Sequence, residues 1–459
     1  MQKFDVIIVG AGPAGMFAAY ELIALRPELK VCLIEMGNLV KNRGSNEVMS
    51  GVGGAGTFSD GKLHFTPVLS HEKMFHLYSE KEYQKILDYT DAIFTKFGVD
   101  AKYYPTNLEE AIKLSDESGK KGIKLFIRRA RHVGSDKLPA VLRNFENDLL
   151  EKGVVIRDKT EIFDIIVENK VVKGVRAASG EEIFSDNVIL APGRINARWL
   201  QKLAERFQLS YSHEKVEVGV RVEFHEAILK RHAELLYETV FMMRTPTFDD
   251  VIRTFCPCPR GMVAAEKYED FICVNGHSNS DHKSENSNFA FVTEMSLNDP
   301  FENTTAYGKS LAQLATTVGG GKPVLQRLGD LRRGARSTWS RIEKSFIKPT
   351  LMDVTPGDIA MALPHRTVVN IIEGLDMLEQ VLPGIASSHT LLYAPEIKFR
   401  SSKLKTDKNL QTEIKGLYVA GDGAGLSGCI TGAAVCGIVA ARGIVGMNLP
   451  KSEYLISKY

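Results

Sequence analysis

The sequence predicts an α/β fold, in which a doubly wound parallel sheet is interrupted by an inserted domain. At the N-terminus an apolar segment, 4–9, is followed by glycines, by a helical pattern over Pro13–Leu25 and by a second apolar strand, 31–35. Near the C-terminus the apolar segment 417–420 precedes a helix rich in small residues, 428–445. Two strand–turn–helix units at opposite ends of one chain indicate a single parallel sheet built from both ends.

The segments between these units predict the remaining elements. A stretch rich in glycine, serine and asparagine, 41–67, is too long for a simple turn and is predicted to be a functional loop. Helical periodicity follows at 80–97 and 138–150, and short strands at 154–156, 162–167, 171–177 and 188–191 predict a β-meander.

The domain organisation follows from this order of elements. We expect a discontinuous nucleotide-binding domain, 1–199 and 394–459, with a partly helical excursion over 66–130. The segment 200–393 mixes strands and helices without an internal repeat, and it is predicted to be an inserted α+β substrate domain.

Composition limits the classes of function. The chain has 459 residues, 44% of them hydrophobic, and a formal net charge of +2, which argues against a general attraction to nucleic acid. The glycine-rich stretch 429–447 is interrupted by Arg442 and does not resemble a membrane span. Six cysteines without framework spacing indicate a reducing compartment, and we expect a cytoplasmic protein. Two segments, 120–137 and 327–344, are basic and predict either solvated faces or a site for an anionic group.

The most informative motif is a G-x-G-x-x-G formed by Gly10, Gly12 and Gly15. Gly10 allows the tight turn, Gly12 lets the backbone approach a pyrophosphate, and Gly15 permits close packing of helix on strand. Amides at the start of the helix can bind phosphate, and Glu35 at the end of the second strand can accept hydrogen bonds from ribose hydroxyls. A second match at Gly51, Gly53 and Gly56 has no apolar strand before it, so the motif at residue 10 is the predicted dinucleotide site.

The C-terminal unit resembles the strand-Gly-Asp signature of two-domain FAD enzymes. The resemblance implies that Asp422 binds the ribityl chain or pyrophosphate, and that the amides of Cys429, Ile430 and Thr431 face the flavin pyrimidine. The segment 188–193, with Ala191 and Gly193, resembles a strand of the same superfamily that usually reads Ala-Thr-Gly, although proline replaces the threonine. The family pattern also places Val155 against the adenine.

The loop 53–63 differs from the disulfide reductases of the glutathione reductase type. There the corresponding region carries two redox cysteines, whereas this chain has Gly56 and Gly61 at those positions. Together with 132–138, 255–259 and 275–278, this loop resembles the family of FAD-dependent dehydrogenases and oxidoreductases, within the two-domain FAD-binding superfamily with a glutathione reductase-like Rossmann fold. The resemblance implies non-covalent FAD and leaves the substrate unidentified.

The predicted site residues follow from these motifs. Asp60, Lys62 and His132 are the catalytic candidates, because a cation can stabilise reduced flavin and a histidine can exchange protons near neutral pH. No metal site is expected; a C-x-C pair, Cys256 and Cys258, reads as buried thiols or as a strained redox relay. The predicted cofactor-binding residues are Gly10, Gly12, Pro13, Ala14, Gly15, Glu35, Met36, Gly54, Ala55, Gly56, Thr57, Ser59, Asp60, Val155, Ala191, Gly193, Gly421, Asp422, Cys429, Ile430 and Thr431.

The leading functional hypothesis is an FAD-dependent dehydrogenase or reductase that transfers hydride between the flavin and a small substrate, either anionic or neutral. After residue 200 there is no second dinucleotide fingerprint, so NAD(P)H is expected at most as a transient electron donor, with a protein donor as the other choice. A flavin-dependent hydroxylase or monooxygenase is the alternative enzyme class. An RNA-associated flavoprotein of the tRNA-modifying kind is the alternative from another class, with the basic segments as phosphate contacts.

Overall fold

The computed structural model describes residues 2–44, 47–59, 61–268, 270–278, 283–295, 303–399 and 401–449. Its α-helices are α1 Pro13–Leu25, α2 Glu80–Lys96, α3 Leu108–Gly119, α4 Leu138–Glu151, α5 Ala197–Phe207, α6 Lys230–Leu236, α7 Thr304–Val318, α8 Leu328–Leu331, α9 Trp339–Glu343, α10 His365–Leu378 and α11 Ile430–Val445. No helix in these ranges combines the length and the apolar character that crossing a membrane requires.

The strands fall into six sheets. In chain order they are β1 Gln2–Lys3, β2 Val6–Val9, β3 Val31–Ile34, β4 Lys62–His64, β5 Tyr103–Tyr104, β6 Lys124–Phe126, β7 Ala130–His132, β8 Val155–Arg157, β9 Ile162–Glu168, β10 Val171–Ala177, β11 Glu182–Phe184, β12 Val188–Leu190, β13 Tyr211–Ser212, β14 Val216–His225, β15 Val240–Arg244, β16 Val251–Cys258, β17 Met262–Lys267, β18 Ile272–His277, β19 Asn286–Met295, β20 Val324–Arg327, β21 Thr355–Pro356, β22 Leu391–Lys398, β23 Lys403–Leu404 and β24 Leu417–Val419.

The first compact unit, residues 1–103, 129–214 and 401–459, contains the parallel sheet. Its five strands lie in the order β24-β12-β2-β3-β8, so a C-terminal strand closes one edge beside a strand from the middle of the chain. β9, β10 and β11 form the antiparallel meander, and β1 joins it in parallel. The predicted α/β class is therefore confirmed, and α1 begins and ends at the residues that the sequence pattern indicated.

The second compact unit, residues 104–128 and 215–400, is built on an eight-stranded sheet in the order β21-β20-β22-β14-β19-β16-β15-β6. Ten residue pairs join β14 to β19 in antiparallel register. Helix α10 packs closely against this sheet, because a Cβ at Gly374 would lie 2.7 Å from the Phe291 ring. The unit thus has a hydrophobic core of its own.

The boundaries of the two units differ from the ones expected from the sequence. The second unit begins at 215 and ends at 400, whereas the predicted insert covered 200–393. Residues 104–128 also belong to the second unit, because β6 pairs with β15 and extends its sheet. A segment far from its partner strand in sequence carries no local sign of that pairing.

Most arginines of the two basic segments form ion pairs within the chain. Arg128 pairs with Glu238, and Arg131 contacts Asp91 at 3.0 Å with both side chains buried. In the second segment Arg333 and Arg341 share the buried Asp330, together with other pairs. Much of the basic charge is therefore paired with carboxylates inside the fold. The sequence had predicted solvated faces or a site for an anionic group, and neither alternative included this pairing.

His232 on α6 provides a test of pH-dependent stability in the second unit. Burial, with Arg231 as a smaller cause, lowers the pKa of His232 to about 4, and its ring lies 5.6 Å from that of Phe241. Unfolded histidine has a pKa of about 6.5, so between these values the unfolded chain binds a proton that the folded chain does not. The free energy of unfolding should consequently fall as the pH is lowered through this window.

In the wild type, His232 should lower the free energy of unfolding by about 2 kcal/mol between pH 7.5 and pH 5, since each pKa unit corresponds to about 1.4 kcal/mol. We expect His232→Gln to abolish this part of the pH dependence. Urea unfolding at both pH values measures this difference. His365→Gln, at an exposed position, is the matched control and should keep the wild-type pH dependence. An unchanged pH dependence in His232→Gln would contradict the assignment.

Candidate functional site

The glycines in and after the turn between β2 and α1 have different surroundings and therefore different roles. Gly10 has a φ of +97°, and a Cβ there would lie 2.2 Å from the Ala191 carbonyl oxygen. A Cβ at Gly15 would lie 1.9 Å from the carbonyl oxygen of Gly10, so helix and turn are in backbone contact. At Gly12 the nearest atom to a Cβ is 3.8 Å away. Gly10 and Gly15 are therefore required by the fold, whereas Gly12 leaves open space.

The start of α1 is free to bind an anion. Gly12 is the N-cap residue and offers no side chain to the amides of the first turn, and Pro13 begins the helix. The first four amides of a helix lack intrahelical partners, and the helix dipole favours negative charge near them. A phosphate is the chemical group that this arrangement suits.

Glu35 connects three backbone segments around this turn. One carboxylate oxygen accepts a hydrogen bond from the Ala11 amide at 2.8 Å, and the other accepts from Gly37 at 3.0 Å and Gly51 at 2.9 Å. The carboxylate is 6% exposed and lines the pocket described below. It holds the loop after β3 against the glycine turn, and its contact with ribose stays a prediction.

The loop after residue 50 lies against the glycine turn. Gly53 has a φ of +89°, and a Cβ at Gly54 would lie 2.9 Å from the Cα of Gly12. Arg43 organises the loop, because its Nη1 donates to the carbonyl oxygens of Val52 at 2.8 Å and Gly54 at 2.9 Å. Sequence reasoning missed Arg43, whose only signal is its position within a polar, glycine-rich stretch.

The strand–turn–helix segment near the C-terminus, β24 and α11 with the turn between them, forms the wall of the site opposite the glycine turn. Gly421 has a φ of +78°, and Asp422 accepts a hydrogen bond from Ser427 while its second oxygen lies 3.6 Å from Nε of Arg194. A Cβ at Gly437 would lie 2.0 Å from the carbonyl oxygen of Ala14. Helices α1 and α11 are thus in backbone contact, and both begin at the same cavity.

That cavity is a pocket in the first unit, and most predicted cofactor residues line it. Beside them it is lined by residues that the sequence did not single out, among them Met49, Ser50, 160–163, 194–196 and Trp199. The predicted residues in its wall are Gly10, Gly12, Pro13, Ala14, Glu35, Met36, Gly54, Ala55, Gly56, Ser59, Ala191, Gly193, Gly421, Asp422, Cys429 and Ile430.

Four predicted cofactor residues are not part of the pocket wall. Gly15 is covered by the turn, Thr57 accepts from Arg43 at 2.6 Å, and the Thr431 hydroxyl donates to the His64 carbonyl at 2.7 Å. Val155 is 41% exposed on the edge strand β8. The family pattern placed it against adenine, whereas the apolar wall of the pocket is formed by other residues.

Trp199 and Phe163 provide part of that apolar wall. The indole nitrogen of Trp199 donates to the Phe163 carbonyl at 2.8 Å, which fixes the ring beside the pocket. Nothing in the sequence marks the two residues as neighbours: Phe163 belongs to a predicted strand, Trp199 follows 36 residues later, and only the folded chain brings them together.

Two of the three catalytic candidates, Lys62 and His132, are not among the residues that line the pocket. Asp60 is outside the described residues. Lys62 on β4 and His132 on β7 are direct partners in an antiparallel pair, and Lys62 is 8% exposed. The structure therefore brings these two residues together without placing either in the lining of the pocket. Their catalytic roles stay predictions.

Cys256 and Cys258 belong to the second unit. Arg221 donates through Nη2 to the carbonyl oxygen of Cys256 at 2.8 Å, and the same nitrogen lies 3.2 Å from Sγ of Cys258. Cys258 is buried and Cys256 is partly exposed, and both are present as thiols. The guanidinium thus gives these residues a structural role in the core of the sheet.

Two protein-family models match the chain in succession. Residues 5–213 match the model described as FAD dependent oxidoreductase, and residues 215–399 match FAD-dependent protein, C-terminal domain-like. An uncharacterized protein of Clostridium beijerinckii is 26% identical over 494 aligned positions, covering 98% of this chain and 82% of that protein.

The chain is also similar to two solved structures. Glycine oxidase from Bacillus cereus has a TM-score of 0.40 at 16% identity and covers 99% of both chains. The E. coli quinol fumarate reductase subunit FrdA has a TM-score of 0.44 at 14% identity, covering 97% of this chain and 71% of that one. The two family models carry the assignment: the chain belongs to the FAD-dependent oxidoreductases and is an enzyme whose cofactor is FAD.

Proposed function

We propose that the pocket of the first unit binds FAD and that the enzyme transfers hydride between this flavin and a small-molecule substrate. One observation carries the proposal: the starts of α1 and α11, which come from opposite ends of the chain, line the same pocket. A dinucleotide needs anion-binding backbone at more than one place along its length, and two converging helix starts provide it.

The residues present fit FAD. Gly12 leaves room for the pyrophosphate, and the uncapped amides of the first turn of α1 would bind it. Asp422 would accept hydrogen bonds from the ribityl chain, because its carboxylate lines the pocket. The amides of Ile430 and Thr431 belong to the first turn of α11 and would donate to the flavin pyrimidine.

Bound FAD would supply a two-electron carrier. The chain positions it and shapes its surroundings: Glu35 fixes the glycine turn, Arg43 fixes the loop, and Trp199 with Phe163 offers an apolar surface. Lys62, His132 and Asp60 are kept as catalytic candidates, with the buried ammonium as the proposed source of positive charge. The substrate can be anionic or neutral.

Anaerobic reduction of the flavin, followed by absorbance, tests this function. The protein is mixed separately with NADH, NADPH and a panel of anionic and neutral metabolites. We expect bleaching of the flavin by a metabolite without added nucleotide, as in a dehydrogenase. Reduction by NAD(P)H, followed by insertion of an oxygen atom into a metabolite once O2 is admitted, would instead indicate a hydroxylase. Salt-dependent retention of RNA, measured separately, would indicate the RNA-associated class.

A further inference from the structure

Cys429 lies where the wall of the pocket meets a buried histidine. It is partly exposed, lines the pocket and is the N-cap residue of α11. Its Sγ lies 3.6 Å from Nε2 of His71, and the Gly432 amide donates to the same sulfur at 3.4 Å. A nucleophilic atom, an imidazole and a helix start therefore converge at one position.

The imidazole is held in place from its other side. Nδ1 of His71 lies 3.1 Å from the Tyr83 hydroxyl, and the two rings are 5.5 Å apart at 60°. Burial raises the pKa of Tyr83 well above its usual value, so its side chain stays a neutral phenol. Since His71 is 1% exposed and Tyr83 is fully buried, the Nε2 atom keeps its direction toward the sulfur.

We propose that Cys429 and His71 form a nucleophilic thiol–imidazole pair in the wall of the pocket, which reacts with a small molecule that carries an electrophilic carbon when FAD is not bound; this last condition rests on the proposed function. The S–H bond of Cys429 breaks and its proton moves to Nε2 of His71, which leaves a thiolate beside an imidazolium. The thiolate is the nucleophilic form of cysteine, and an imidazolium, an amide donor and a helix N-terminus all stabilise it. Tyr83 is the positioning residue.

Other titratable groups near the pair are engaged elsewhere. Burial raises the pKa of the Cys436 thiol to about 12. Lys73 lies 3.3 Å from Glu214, and Asp422 accepts from Ser427. His71 contacts Cys429 directly through Nε2 and Sγ, so proton exchange between the two side chains needs no intervening group.

Buried thiols of the same chain provide internal references. Burial raises the pKa of Cys32 to about 12 and that of Cys273 further still, so these thiols should stay protonated and slow to react. Iodoacetamide is the probe: a C–S bond forms, the C–I bond breaks and iodide leaves.

The test is the alkylation rate of each cysteine at pH 6 to 9, measured by peptide mass spectrometry on the full chain with and without FAD. In FAD-free protein at pH 7 we expect Cys429 to react at least tenfold faster than Cys32, Cys273 and Cys436. His71→Gln should slow Cys429 at least tenfold at pH 7 and make its rate rise steeply with pH, whereas the wild-type rate should vary little. Tyr83→Phe, which keeps the packed ring, should slow it by less.

Two outcomes overturn the pair: equal rates in wild type and His71→Gln when both are folded, or a Cys429 rate no higher than that of the buried thiols. If His71→Gln does not fold, an unchanged rate and pH profile in folded Tyr83→Phe would likewise overturn it. The comparison of alkylation rates with and without FAD tests the proposed function separately, because FAD bound in this pocket should shield Cys429 from iodoacetamide. A fast, His71-dependent reaction without shielding would sustain the pair and contradict the placement of FAD.

Discussion

Gly12→Val should abolish the retention of FAD while the protein remains folded. The Gly12 φ of −70° is accessible to any residue, the nearest atom to a Cβ there is the Cα of Gly54 at 3.8 Å, and Gly12 lines the pocket. The valine side chain would thus occupy the space where the pyrophosphate must approach the backbone. We expect at least a hundredfold weaker binding, measured by flavin absorbance after desalting and by titration with FAD.

The cost to stability should be small by comparison. Valine is a poor N-cap residue, which predicts a loss of about 1 kcal/mol in the free energy of unfolding. Gly44→Val is the matched control, because a Cβ at Gly44 meets no atom within 4 Å, and it should keep wild-type FAD content. Full FAD occupancy in folded Gly12→Val would exclude this turn as the phosphate site.

Gly437→Val should destabilise the first unit itself, in contrast to Gly12→Val, which should leave the protein folded. The added Cβ would lie 2.0 Å from the Ala14 carbonyl oxygen and 2.9 Å from the Ala18 amide nitrogen. Both atoms belong to the backbone of α1, so the two helices would have to separate. Overpacking a core typically costs about 1 to 3 kcal/mol, and a rigid backbone contact places this variant at or above the upper end.

Urea unfolding measures this loss, and Gly437→Ala should show most of it because the first added atom already collides. Gly119→Ala is the control: it also adds a methyl group to a helix, at a position with no atom within 4 Å, and it should be neutral or slightly stabilising. A Gly437→Ala protein within 0.5 kcal/mol of wild type would show that α1 and α11 can separate freely.

Local patterns made the first unit predictable. Helix α1 and strands β2, β3, β10 and β24 lie where apolar runs and glycine turns indicated them, because each buried strand or helix start is encoded by neighbouring residues. Half of the residues that line the pocket followed from the same motifs. The two ends of the chain could be joined in one site because each motif carries its own phosphate-binding backbone.

Contacts between distant segments were not predictable in this way. Trp199 and Phe163 meet in the pocket wall although 36 residues separate them, and Val155 does not line the pocket although its strand is where the pattern placed it. The pairing of Arg128 with Glu238 joins residues 110 apart. Such contacts depend on the folded geometry, whereas a motif depends on spacing along the chain.

The contact between α1 and α11 also determines when the pocket can be completed during synthesis of the protein. Pro13 begins one wall of the pocket and Val445 ends the helix of the other, so the ribosome adds more than four hundred residues between them. At about 5 to 20 residues per second, this interval lasts on the order of 20 to 90 s. Throughout that time the nascent N-terminal part of the unit lacks α11 and the edge strand β24, and the pocket is complete only after α11 has left the ribosome.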